Sequence, residues 1–225
     1  MGSRYATFTL GELIDMKKLF AFLILACGLA LTGPSRADEL PPDMLVKNVT
    51  NEVLDVVKKD REIQNGNTQR VIQLIEAKVL PHFNFTHMTV LAVGLDWRKA
   101  SPAQQKALTE EFKNLLVRTY SNAFTSYKNQ TVSFKALRMQ PSDTDVTVHT
   151  QVVQPGGQPV SIDYSLEKTP AGWKVYDVTV AASSLVMVYR TQFGQQVASG
   201  GIDGLIAFLH TKNHGAESTG KAPKK

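Results

Sequence analysis

The side chains of this chain best suited to chemistry are its five histidines, its one cysteine and a few carboxylates. A thiolate can act as nucleophile or metal ligand. Cys27, however, sits inside an apolar run near the N-terminus, so thiolate catalysis, a disulfide and a thiolate metal site are not expected of the folded protein. A serine nucleophile needs a histidine and a carboxylate behind it, and no Gly-x-Ser-x-Gly is present. His82 and His87 are five apart, whereas helical pairs that share an ion usually sit three or four apart. His149 alternates onto a polar strand face, and His210 and His214 fall where the last helix should fray. Each imidazole therefore reads as satisfied or solvated, and no metal site is expected.

The carboxylates divide in the same way. Asp143, Asp145 and Asp163 occupy turns and solvent-facing strand positions. Asp177 stands among apolar neighbours, so it is expected to pair with a cation such as Arg190, with catalysis as the lesser reading. Phosphate binding needs a Gly-rich loop that opens a helix. Pro155-Gly156-Gly157 joins two strands, and Ser199-Gly200-Gly201 lacks a following Lys-Ser/Thr. No catalytic residue and no cofactor are expected. A formal charge of +5 without an Arg/Lys-rich run gives no footprint for nucleic acid.

Period and punctuation place the elements that would hold a site. Pro41-Pro42 opens a helix with Leu45, Val49, Val53, Val56 and Val57 on one stripe, ending near Asn65-Gly66-Asn67. Thr68 can cap a second, with Val71, Ile72, Ile75, Val79 and Leu80, stopped by Pro81. Phe85, Met88 and Leu91 suit a short third helix. Ser101-Pro102 starts a longer one carrying Leu108, Phe112, Leu115, Leu116, Tyr120 and Phe124. The period then switches to two, through Val132 and Phe134, Val146 to Val152, Val160 to Leu166, and Trp173 to Val180. Trp173 and Val175 share one phase while Val178 and Val180 share the other, which predicts a bulge near Tyr176-Asp177. Ser183 or Ser184 can cap a helix with Leu185, Val186, Tyr189, Phe193 and Val197, and Ser199-Gly200-Gly201 separates a last short one. The predicted fold class is α+β: helices wrapped over one face of a curved four-stranded antiparallel sheet. From patterning alone, the apolar faces could meet as a filled core or enclose a cavity.

The N-terminus carries an address. Met16-Lys17-Lys18, a 13-residue apolar run from Leu19 to Leu31, and small residues up to Ala37 have the build of a cleaved signal peptide. The run is short for a membrane-spanning helix. Ile24-Leu25-Ala26-Cys27 faintly resembles a lipoprotein cleavage box, but apolar residues continue beyond it. The expected organisation is an upstream extension (1–15), a signal peptide (16–37), one domain (38–212) and a disordered basic tail (213–225). Cutting after Ala37 removes four basic and two acidic residues and lowers the charge from +5 to +3.

Two separated blocks resemble the MlaC family of periplasmic phospholipid carriers, also called toluene-tolerance proteins. One is Trp173-Lys174-Val175-Tyr176-Asp177-Val178 with Ser184-Leu185-Val186, Tyr189-Arg190 and Phe193. The other is Leu80-Pro81-His82-Phe83-Asn84-Phe85 with Met88, continued by Gly94, Trp97-Arg98, Gln105, Phe112, Leu115-Leu116 and Thr119-Tyr120. The family segment usually reads His-Phe-Asp-Phe, so Asn84 is a departure. The resemblance spans about residues 40–212. It implies a lipid cavity between helices and sheet, no enzyme activity, and phospholipid as cargo rather than cofactor. It also implies two partners: an outer-membrane lipoprotein complex and an inner-membrane ABC transporter with an MCE-domain subunit. The role implied is maintenance of outer-membrane lipid asymmetry from the periplasm. On that reading, the residues expected to line the tails are Phe112, Leu116, Tyr120, Val148, Val152, Ile162, Tyr164, Val178, Leu185, Val186, Tyr189 and Phe193. A glutamate at Val186 is then expected to abolish loading in a folded protein. An isomerase- or hydrolase-like enzyme with a conical pocket, or a solid interaction module, are the rival readings.

Overall fold

A computed structural model of the chain describes residues 40–125, 129–154 and 156–215. The expected leader, its cut site and the last ten residues lie outside this range. Helix α1 spans Pro42–Lys59 and begins on Pro41, with proline again at its first position, where a missing N–H is harmless. It ends sooner than its apolar stripe suggests. Asp60 takes an extended backbone, and its carboxylate accepts from the Glu62 and Ile63 amides at 3.0 and 3.2 Å, starting a new short helix α2, Arg61–Gln64. Helix α3, Thr68–Lys78, is capped by Asn67, one residue before the expected Thr68; the Asn67 carbonyl accepts from Arg70 N. After a 3₁₀ turn at Leu80–His82 comes α4, Phe85–Val93, then a second 3₁₀ stretch, Gly94–Lys99. The long helix α5 runs Pro102–Thr125. Ser101 Oγ accepts from Gln104 N, and Gln104 Oε1 accepts from Ser101 N, a reciprocal cap.

The sheet is an antiparallel meander of five strands in chain order: β1 Thr131–Phe134, β2 Asp145–Val153, β3 Val160–Thr169, β4 Gly172–Val180 and β5 Ser183–Ser184. The fifth, two residues long, is the one strand the alternation did not reveal. Between β3 and β4 the register slips, with Ser165 opposite Asp177 but Leu166 opposite Val175. Tyr176 is thus the extra residue of the expected bulge. The slip restores the face: Val175, Val178 and Val180 lie opposite Leu166, Tyr164 and Ile162, so the apolar residues of β4 stay on one side.

Helix α6, Leu185–His214, is capped by Ser184, whose Oγ accepts from Met187 N at 3.1 Å. It kinks at Gly201 (φ 66°, ψ −165°), where a break between two helices was expected. It also runs two residues past the expected domain end, because Asn213 is buried and donates to the Glu111 backbone carbonyl at 2.9 Å.

Three apolar clusters hold these elements together. One joins α4, α5 and α6 around Met88, Leu108, Phe112, Val186, Phe193 and Leu205. A second joins α1 to the sheet through Leu45, Val46, Val148, Leu166 and Trp173. A third joins α1, α2 and α3 through Val53, Val57, Ile63 and Val71. Val49 packs against both of the last two.

Candidate functional site

Helix α1 crosses the apolar face of the sheet, and the space between them is not filled. A cavity of about 390 Å³ remains there. One wall is the inner stripe of α1, with Leu45, Val46, Val49, Thr50, Val53, Leu54 and Val57. The facing wall comes from four strands: Val132, Val152, Val160, Ile162, Tyr164 and Val175. Val79, His82 and Phe83 close one side; Ala123 and Phe124 at the end of α5, with Gln130 and Gln154, close another. The β-register explains the second wall: Val132, Val152 and Val160 are directly paired across three strands, on the same face as Ile162 and Tyr164. Gln154 and Val160 are exposed, which places the mouth at that edge of the sheet. The volume falls in the range of about 300–1,000 Å³ usual for small-molecule sites.

The polar groups in the wall are few. The Tyr164 hydroxyl makes no hydrogen bond among the described residues, and burial pushes it up to about 12. Its residual accessible surface faces the cavity, which reconciles a phenol walled in by protein with a side chain that is only half-buried. Burial, with the nearby Lys174 ammonium, holds the His82 imidazole below its ordinary value and so favours its neutral form. Lys174 itself donates to the Pro81 carbonyl at 2.6 Å, fixing the turn that presents His82 and Phe83. Among the described residues, no carboxylate lines the cavity.

Of the twelve residues expected to line a tail site, Val152, Ile162 and Tyr164 line this cavity. Val148 is packed within the α1–sheet cluster, and Val178 packs against it from its edge. Phe112, Leu116, Val186, Tyr189 and Phe193 belong to the close-packed α4–α5–α6 core, where Phe112 meets Tyr189 and Phe193 edge-on at centroid distances of 5.0 and 5.1 Å. Leu185 is half-buried at the start of α6, and Tyr120 is 39% exposed. Sequence reasoning missed α1 as a wall. Its stripe was left out of the expected lining, and nothing in a stripe distinguishes residues that touch a neighbour from residues that face a void.

Apart from His82, the titratable groups singled out from the sequence lie outside the cavity. Asp177 does not pair with Arg190. Its Oδ1 accepts from Val178 N at 2.8 Å and Val186 N at 3.2 Å, and its Oδ2 from Ser184 Oγ at 2.6 Å. It ties β4 to the first turn of α6, where a carboxylate also suits the helix dipole. The Arg190 guanidinium instead lies against Gly94, within 3.2 Å of where a Cβ would stand. Asn84 caps α4 by accepting from His87 N at 3.1 Å and donates to Glu167 Oε1 at 2.7 Å, which also lies 2.9 Å from His87 Nδ1. His87 stacks on Tyr176 at 4.7 Å, and the Tyr176 hydroxyl donates to Asp145 at 3.1 Å. Burial, then the Asp145 carboxylate, pushes that hydroxyl up to about 12. His149 lies 3.0 Å from Asp163.

The fold and site together define a class: an α+β container whose helices roof one face of an antiparallel sheet over an apolar chamber. No helix among the described residues is long and apolar enough to cross a membrane. A family model described as MlaC protein matches residues 47–211, and the chain belongs to that family. It is 25% identical over 167 residues to the toluene tolerance protein ttg2D of Pseudomonas putida, covering 72% of this chain and 75% of that one. It is 20% identical over 178 residues to the intermembrane phospholipid transport system binding protein MlaC of Haemophilus influenzae, covering 78% and 83%. A solved phospholipid-binding protein from Ralstonia solanacearum, in complex with a phospholipid, shares 39% identity with a TM-score of 0.73, covering 78% of this chain and 98% of that one.

Proposed function

We propose that this protein is an exported periplasmic carrier that holds phospholipid acyl tails between α1 and the sheet, and that it catalyses no reaction. The observation that carries the reading is the apolar chamber of about 390 Å³, with no carboxylate in its wall. The phospholipid complex of the Ralstonia solanacearum protein supports the cargo. Val152, Ile162 and Tyr164 contact tails from the sheet side, and Val49 and Val53 from the helix side. The head group stays at the mouth beside Gln154, in water.

The need for a carrier is energetic. A diacyl lipid has roughly 30 methylenes, each costing about 0.8 kcal/mol to expose to water, over ~20 kcal/mol in all. Free diffusion between membranes is negligible, and a chamber of comparable apolarity replaces bilayer contacts without covalent chemistry. The carrier then shuttles lipid between an outer-membrane lipoprotein complex and an inner-membrane ABC transporter with an MCE-domain subunit. The name of the Haemophilus influenzae relative, an intermembrane phospholipid transport system binding protein, supports that route.

The test is native mass spectrometry of gently purified protein, with lipid extraction from the same sample. A mass excess matching phospholipid, released on denaturation, is expected. A bare mass from protein never exposed to detergent refutes the carrier reading.

A further inference from the structure

The Glu111, His210 and His214 side chains come together outside the cavity wall. Glu111 belongs to α5, and the two histidines lie one turn apart on α6, four residues from each other. One donor atom from each lies within 4.8 Å of the other two. His210 Nδ1 is 2.9 Å from Glu111 Oε1, and the two imidazoles sit with centroids 4.3 Å apart. We propose that these three side chains form a binding site for a first-row transition-metal dication such as zinc, which would clamp the end of α6 to α5.

The donor set carries the choice of ion. Two neutral imidazoles and one carboxylate suit zinc, copper or nickel, and are a poor set for magnesium or calcium, which prefer oxygen. Ligands held about 2.0–2.1 Å from a tetrahedral zinc stand about 3.3 Å apart. The His210–Glu111 separation of 2.9 Å is already near that figure. The remaining donor closes by a rotamer adjustment, which the exposure of His210 and His214 permits.

The carboxylate is held in place before any ion arrives. Asn213 Nδ2 donates to Glu111 Oε2 at 2.6 Å and to the Glu111 backbone carbonyl at 2.9 Å. Asn213 is 1% exposed, and its Oδ1 has no hydrogen-bond partner among the described residues. That amide is turned entirely to the service of Glu111, the arrangement that orients a ligating carboxylate from behind. Asn213 and His214 also border a polar hollow, with Glu76 and Lys113, by which a hydrated ion can approach.

The test uses tag-free protein, stripped with a chelator and titrated with zinc chloride by calorimetry. A saturable one-to-one isotherm and a zinc-dependent rise in melting temperature are expected, and a cobalt-loaded sample should show the intense visible bands of a tetrahedral site. His214→Ala and Glu111→Gln should each weaken zinc at least about tenfold. Because Glu111→Gln could loosen the α5–α6 contact, far-UV circular dichroism must match the unaltered protein for that variant to be read. His214→Ala, at an exposed position, carries the result on its own. His87→Ala, which removes a different histidine–carboxylate pair, should leave zinc affinity unchanged. Absence of a saturable isotherm, or one that survives His214→Ala, overturns the proposal.

Discussion

One substitution made at two positions separates loading from folding. Val152 and Val186 were both expected to touch lipid tails, but Val152 is half-buried on the cavity wall, whereas Val186 is 2% exposed within the α4–α5–α6 core. A glutamate at Val186 must displace packed neighbours, and burying its unpaired charge costs several kcal/mol. Set against a total stability of about 5–15 kcal/mol, this should leave Val186→Glu unfolded or melting far below the unaltered protein. This outcome differs from the folded, empty Val186 variant that the sequence alone suggests. At Val152 the new carboxylate can be hydrated in an empty cavity, so folding loses only the partial burial of one valine, about 1–2 kcal/mol. Tail entry must then strip the water from that charge. A penalty of ~4 kcal/mol, the low end for desolvating an unpaired ion, weakens lipid binding about a thousandfold. Thermal denaturation followed by circular dichroism reads the first effect, and phosphorus content with native mass spectrometry reads the second. Val152→Glu with the lipid content of the unaltered protein would refute the reasoning. So would a Val186→Glu protein that melts normally but carries no lipid, since the tails would then lie against α5 and α6.

Other consequences follow from single contacts. Asp177→Ala removes three hydrogen bonds to an ionised acceptor at the β4–α6 junction and should lower stability by about 2–4 kcal/mol in urea denaturation. Asn84→Asp exchanges a 2.7 Å donor to Glu167 for a second carboxylate. The like charges raise the pair's folded-state pKa, so the loss, about 1–3 kcal/mol, should be full near neutral pH and shrink as pH falls below about 5; melting temperatures at two pH values check this. The hydroxyls of Tyr164, Tyr176 and Tyr189 are each pushed up to about 12, above the usual 10. The folded protein therefore keeps protons that the unfolded chain loses, and stability should decline as pH rises from 10 through 12. Absorbance titration at alkaline pH, run beside urea melts, tests the link.

The strands were legible because a one-sided sheet writes its burial as alternation, from Val146 to Val152 and again from Val160 to Leu166. Even the bulge was legible, as a change of phase between Val175 and Val178. The empty space was not. Val49 on α1 and Val186 on α6 occupy equivalent places in their stripes, yet one faces a cavity and the other is enclosed. That difference depends on how far apart two elements sit, which no local pattern records. Asp177 was singled out by its apolar neighbours, but two of its three partners are backbone amides, which carry no residue type to search for, and the third is the Ser184 hydroxyl. His210 and His214 had the four-residue spacing of a helical ligand pair; their carboxylate is 99 positions from His210 and becomes a neighbour only when α5 packs on α6.

Nearly half of the cavity wall is valine, on the helix and on the sheet alike. A valine side chain has one torsion and strongly prefers one setting of it in a helix. Such a lining has little freedom to lose when a guest arrives and little ability to swing inward when the guest leaves. On the proposed carrier function, such a chamber should keep its shape with and without a guest, so uptake and release of lipid should follow the same path. If the proposed carrier function holds, the direction of traffic is set by the donor or acceptor at the mouth, and the container itself favours neither.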